Sequence, residues 1–173
     1  MLFRSKVNPS GKLPLTFPVS DTQTPTGGKP FVDSPVYTEK LNVGYRWYDA
    51  FNETPLFEFG HGLSYTTFSY SDLRVDSSTD GSKTVNFKLT NTGKVEGKEV
   101  AQVYMRFPGH ADEPPKRLVG WQKVNLKPGE SKAVAITIPR ERQNYWNTSS
   151  KGWAMMNDGA VMVGASSRDI RLQ

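Results

Sequence analysis

From Lys83 onward the chain alternates. Val85, Phe87 and Leu89 fall on one side of an extended backbone, and Asn86, Lys88 and Thr90 on the other. A period of two is the mark of a strand with one apolar and one wet face. The next run places Ala101, Val103, Met105 and Phe107 on one face and Gln102, Tyr104 and Arg106 on the other. Val134, Ile136 and Ile138 repeat the pattern, as do Val161 and Val163, and Ile170 with Leu172 ends the chain. In Lys127-Pro128-Gly129-Glu130, proline presets the first central position of a turn and glycine accepts positive φ at the second. The strands expected are 65–75, 83–91, 99–107, 117–125, 133–138, 152–156, 160–164 and 169–172. Helical periodicity is nowhere sustained over ten residues. Because each sheet has one apolar face that must meet another, the pattern predicts an all-β, immunoglobulin-like antiparallel sandwich.

The first third reads differently. Between Val19 and Tyr37, Pro25, Gly27, Gly28, Pro30 and Pro35 interrupt any period, which predicts an extended, largely irregular N-terminal arm. A length of 173 residues fits one ordinary domain plus such an appendage. With 36% hydrophobic and 23% charged residues the chain reads as globular and polar-surfaced. No apolar run approaches the roughly 20 residues that span a bilayer, and the first residues lack a basic region followed by an apolar stretch, so no membrane partner is expected and the location stays open. The absence of cysteine removes disulfides and thiolate chemistry. The formal charge of +5 is spread among 17 acids without a block of like charge, which argues against nucleic acid as a partner. The sequons at Asn52 and Asn147 matter only in a glycosylating host.

One stretch carries more than periodicity. Phe57-Glu58-Phe59-Gly60-His61-Gly62-Leu63-Ser64-Tyr65-Thr66-Thr67-Phe68 resembles the junction leading into the terminal fibronectin type III-like domain of family three glycoside hydrolases. Other landmarks follow in family order. Asn8 to Pro18 resembles the closing strand of the preceding α/β sandwich domain, Val43 to Asp49 the approach to the junction, and Thr90 to Val100 a hairpin of the terminal domain. Pro114 to Leu118, Leu126 to Ser131, Lys151 to Trp153 and Val163 to Ile170 continue the likeness. Met156-Asn157-Asp158-Gly159-Ala160 departs from it, standing where relatives often carry a Pro-Gly-Glu turn.

The resemblance implies a fibronectin type III-like domain at 61–173, preceded at 1–60 by a remnant of the α/β sandwich domain and a connector. It implies a β-glucosidase-like parent that hydrolyses terminal β-glucosides or β-xylosides with retention, no cofactor, and both catalytic carboxylates upstream of Met1. On that reading the chain is a fragment with a structural role, and its partners are the missing catalytic domains.

Chemistry within the chain itself is sparse. A retaining glycosidase needs two carboxyl groups about 5 Å apart. Asp49, Glu53 and Glu58 are the local candidates and match no catalytic motif of the family, so they are expected to be exposed or paired acids. His61 and Ser64 invite a weak esterase reading, but Leu63 and Tyr65 flank the serine where a nucleophile elbow needs glycines. His61 is expected instead to fix a tight turn. Two distant histidines, His61 and His110, do not make a transition-metal site, and Asp112 with Glu113 lacks the spacing of a calcium loop, so no metal is expected. The aromatic cluster Tyr45, Trp47, Tyr48, Phe51, Phe57 and Phe59 is the one binding feature, suited to domain-interface packing or to stacking on a polysaccharide. Left uncovered, an N-terminal arm bearing it would also favour a homodimer.

Overall fold

The computed structural model describes residues 7–29, 36–107, 113–156 and 159–173. His110 and Asp112 of the polar loop, Asn157 and Asp158 of the late turn, and Pro30 and Pro35 of the connector lie outside them. Among the described residues one short helix, α1 (Tyr45–Ala50), precedes nine strands: β1 (Phe68–Ser77), β2 (Lys83–Asn91), β3 (Gly97–Arg106), β4 (Lys116–Leu126), β5 (Ser131–Ile138), β6 (Asn144–Asn147), β7 (Gly152–Met155), β8 (Ala160–Gly164) and β9 (Ile170–Leu172). They form a three-stranded sheet in the order β1-β2-β5, a four-stranded sheet in the order β4-β3-β8-β9, and a separate β6-β7 ribbon, with every pairing antiparallel. The expected antiparallel sandwich is the fold observed.

The period-two reading accounts for the core. Val85, Phe87 and Leu89 of β2, with Val134, Ile136 and Ile138 of β5, pack against Ala101, Val103 and Met105 of β3, all buried. Each such aliphatic or aromatic side chain contributes about 1.5–3 kcal/mol when withdrawn from water. The Lys127–Glu130 turn that feeds β5 forms as expected: Gly129 sits at φ 74, and the Glu130 N–H donates to the Lys127 carbonyl at 3.0 Å.

Three features differ from the alternation pattern. Strand β1 begins at Phe68 rather than Tyr65, because residues 64–66 are occupied elsewhere: the Tyr65 N–H donates to Asn8 Oδ1 at 2.8 Å and the Thr66 hydroxyl to Asn91 Oδ1 at 2.6 Å. Strand β6 was not expected, since four residues without alternation carry no periodic signal; it exists by pairing with β7. The third difference matters most. The middle of the β3 face opposite the core is not left to water: Gln102 and Tyr104 are 3% and 0% exposed, while Lys98 and Arg106 near the strand ends reach solvent. The N-terminal arm covers that face.

Asn91 ties these parts together at the point where β2 leaves one sheet for the other. Its Oδ1 accepts from Thr66 and from the Gly93 N–H, and its Nδ2 donates to the carbonyls of Val95 and Leu126 at 2.8 and 3.0 Å. Every hydrogen-bonding site of a fully buried amide is thereby used, so truncation strands several partners at once. Asn91→Ala is expected to lower the unfolding free energy by about 2–4 kcal/mol in a urea titration; a change below about 0.5 kcal/mol would show that the corner is held by other groups.

Candidate functional site

The arm reaches the sandwich in two passes. In the first, Leu13 and Phe17 run antiparallel to the second: the Leu13 N–H donates to the His61 carbonyl and the Gly60 N–H to the Leu13 carbonyl, both at 2.8 Å, and Phe17 and Phe57 bridge in the same sense. Lys12 Nζ lies 2.9 Å from Glu99 Oε1, and Asn8 Nδ2 donates to the Glu96 carbonyl at 3.1 Å, which fastens this pass to β3 and the loop before it.

Helix α1 then delivers Tyr45 to the outer face of β3. Between Val103 and Tyr104 the pairing of β3 with β4 slips by one residue, Val119 being the extra one. Beside this bulge the Leu118 N–H donates to the Tyr45 hydroxyl at 2.8 Å. The Tyr45 ring stacks on Phe59 with centroids 4.9 Å apart and meets Tyr104 edge-on at 6.0 Å. Burial pushes the Tyr45 phenol up, against a smaller downward pull from the Leu118 N–H. Burial also pushes up the Tyr104 phenol, with Tyr45 and Asp49 acting in the same direction. Both rings therefore stay neutral hydrogen-bonding groups.

Gly60 closes the packing. Tyr104 donates to Gln102 Oε1 at 2.6 Å, and Gln102 Nε2 donates to the carbonyls of Gly60 and Ala165. A Cβ on Gly60 would stand 2.2 Å from Gln102 Oε1, and its φ of 80° is left-handed. Two independent constraints thus demand glycine here.

The candidate carboxylates are all engaged. Asp49 receives Lys116 Nζ at 2.5 Å and lies 3.8 Å from Arg168 Nε. Arg168 also donates to the carbonyls of Tyr48 and Glu53, so one guanidinium spans the turn by which the chain leaves α1. Glu53 accepts from Gln23 Nε2 at 3.2 Å. Glu58 accepts from the Ser166 hydroxyl at 2.8 Å and faces His61 Nδ1 at 3.3 Å. Burial works to raise the Glu58 carboxyl, but its own N–H, Ser166 and His61 outweigh burial and hold it below the usual value.

His61 and Ser64 do not form a dyad. The His61 ring turns to Glu58 and rests against Phe57 at 5.2 Å, while the Ser64 hydroxyl donates to Asn8 Oδ1 and accepts from the Thr66 N–H. No hydrogen bond joins the two side chains. Among the described residues no group of three His, Asp or Glu could hold a metal ion.

The six aromatic candidates divide. Tyr45 and Phe59 pack toward β3, and Tyr48 is buried with its hydroxyl donating to the Gln23 carbonyl at 2.6 Å. Trp47 lies between Tyr48 and Phe51 at 5.0 and 5.4 Å. Phe51 and Phe57 are 58% and 42% exposed. Phe57 joins Phe17, Leu13, Pro9 and Leu63 around an open apolar groove of about 530 Å³ on the outward side of the arm. Leu63 of this groove is 73% exposed, and Leu15, also on the arm, is 51% exposed. Single residues in a proline-rich stretch give no periodic signal, so only the fold brings Leu13, Phe17 and Leu63 beside Phe57.

A fibronectin type III-like domain matches residues 99–167. Over 97% of its length the chain is 44% identical to thermostable β-glucosidase B of Acetivibrio thermocellus, of which it spans 23%. Among solved structures, DesR, a β-glucosidase from Streptomyces venezuelae, superposes with TM-score 0.89 at 39% identity over 95% of this chain and 22% of that one. The family three β-glucosidase of Bifidobacterium adolescentis gives TM-score 0.86 at 36% identity over 96% and 25%. The chain thus spans about a quarter of the relatives it matches, and the likeness expected from the motifs is borne out.

The depressed Glu58 carboxyl makes arm attachment pH-dependent. A lowered folded pKa contributes stability that is present above the unfolded value of about 4.5 and lost as pH falls through the folded value. Glu58→Gln is therefore expected to lower Tm at pH 7 and to converge with the wild type in thermal scans as pH falls below 4.5 and through the folded value. A difference that persists unchanged into acid would contradict the role given to this carboxylate. Gly60→Ala is expected to cost about 2–4 kcal/mol in urea unfolding through its clash and its positive φ; a loss under about 1 kcal/mol would show that the arm yields at this point.

Proposed function

Because this chain is similar over nearly its whole length to the C-terminal region of family three β-glucosidases, we propose that it serves as the non-catalytic accessory part of such a hydrolase. Its partner is the catalytic portion, in which the carboxylate pair that cleaves terminal β-glucosides or β-xylosides resides. On this proposal 61–173 is the fibronectin type III-like domain, and 1–60 is the remnant of the preceding α/β sandwich domain with its connector. The observation that carries the reading is the asymmetry of the arm. Its inner side is locked to β3 and β4 by Tyr45, Gly60 and the Asp49–Lys116 pair, while its outer side leaves Leu15, Phe17, Phe57 and Leu63 exposed. A surface held rigid from behind and apolar in front suits a permanent protein contact. The engagement of Asp49, Glu53 and Glu58 in packing supports an absence of hydrolysis by the chain alone.

The test pairs the chain with a family three β-glucosidase truncated to remove its own counterpart of this region. The two are expected to co-elute in size exclusion and to restore hydrolysis of an aryl β-glucoside, and Leu63→Asp is expected to weaken the complex at least about tenfold. A second copy of the chain is the competing occupant of the strip. It would show in light scattering as a dimer that Leu63→Asp disperses and that does not bind the truncated enzyme. Hydrolysis by the chain alone, abolished by substituting Asp49, Glu53 or Glu58, would overturn the reading.

A further inference from the structure

Two exposed tryptophans lie away from the arm, on the β6-β7 ribbon. Trp146 of β6 and Trp153 of β7 face each other across the ribbon, 47% and 71% exposed, with ring centroids 5.7 Å apart at an interplanar angle of 83°. Trp121 is also exposed, but Arg142 stands over its ring at 5.8 Å. The edge-to-face geometry supports the ribbon and leaves the outward ring faces uncovered. The ribbon is anchored at its base, where β6 begins and β7 ends. Buried Gln143 donates to the Gly81 and Ile138 carbonyls, the Met156 N–H donates to the Gln143 carbonyl, and Arg117 donates to the Asn144 carbonyl at 2.7 Å. At the tip Asn147 Oδ1 accepts from the N–H groups of Ser149 and Ser150, both at 3.0 Å.

The surroundings of the two rings select the ligand. From Asn144 to Met156 the only charged side chain is Lys151, and the polar groups are the amides and hydroxyls of Asn144, Tyr145, Asn147, Thr148, Ser149 and Ser150. That single cation stands among neutral amides and hydroxyls with no carboxylate, and the neighbouring Arg117 guanidinium is spent on the Arg142 and Asn144 carbonyls, so the ribbon complements an uncharged polyol. Flat aromatic faces with hydroxyl and amide neighbours suit the apolar side of a pyranose together with its ring hydroxyls. We propose that the Trp146–Trp153 face of the β6-β7 ribbon is a stacking site for a neutral β-linked glucan chain. The choice of glucan rests on the β-glucosidase reading above; the location does not. The site expected from the sequence at Tyr45 and Trp47 is a different one, and its inner rings are spent on packing.

Affinity electrophoresis of the full chain in gels containing hydroxyethylcellulose or mixed-linkage β-glucan tests the proposal, with polygalacturonate as the charged control. Retardation by the glucans and not by polygalacturonate is expected, with Trp153→Ala weakening binding about tenfold, or about 1.4 kcal/mol. Trp153→Phe, which keeps a ring across from Trp146, is expected to stay within about threefold and guards against simple loss of the ribbon. Leu63→Asp is expected to leave glucan retardation unchanged, because the docking strip is elsewhere. Absence of retardation, equal retardation of the Trp153→Ala variant, or stronger retardation by polygalacturonate would overturn the site. So would shielding of the two tryptophans from acrylamide quenching by the truncated enzyme and not by glucan, which would mark a protein contact. No catalytic portion is present in the electrophoresis, so failure of glucan binding and failure of enzyme docking are separately visible.

Discussion

The structure depends on burying both faces of β3. A strand that presents Val103 and Met105 to one side and Gln102 and Tyr104 to the other stays dry on both only if something other than the second sheet supplies a cover. The arm supplies it with Tyr45, Phe59 and Gly60, and the polar atoms trapped beneath are matched one to one: Tyr104 to Gln102, Gln102 to Gly60 and Ala165, Tyr45 to Leu118. A buried polar group without such a match costs more than the bond itself contributes. The arm is therefore part of the domain rather than a tether, and its exposed groove inherits the rigidity of the sandwich.

That inheritance gives the functional reading its physical content. An apolar strip on a mobile segment would have to be ordered on contact, at an entropic cost set against affinity. Here the Asp49–Lys116–Arg168 cluster, the Glu58–Ser166 bond and the Lys12–Glu99 pair set the strip in place beforehand. The same groups explain why acids that look available for glycoside chemistry are committed elsewhere. The glucan site on the ribbon is separate in position and in chemistry: it uses exposed rings and neutral polar groups, whereas the arm uses aliphatic surface backed by ion pairs.

Much of the sandwich was legible in the sequence because strands with one apolar face announce themselves at period two. The bounds of β2 and β8 agree residue for residue with that reading. What could not be read is what depends on distant residues. Tyr104 on β3 is as apolar a tenant as a wet face can hold, yet nothing local says that Tyr45, 59 residues earlier, will lie on it. Ribbon strand β6 escaped for the same reason, since its four residues are strand only in the presence of β7. The aromatic cluster was visible as composition, but its division into buried and exposed rings was not, because a six-residue helix carries too few turns to show a face. His61, between two glycines, meets Glu58 three residues earlier, and Glu58 is linked in turn to Ser166 near the far end of the chain, a partner no local pattern could name.

Native-state hydrogen exchange tests the central claim most directly, by comparing the amides of Leu13, Phe17 and Gly60 in the arm with those of Val103 and Tyr104 in β3. If the arm belongs to the folded core of the domain, both sets exchange with the same free energy of opening, near that of global unfolding. Rapid exchange throughout the arm while β3 stays fully protected would contradict the account, because it would mean that the outer face of β3 is dry without its cover.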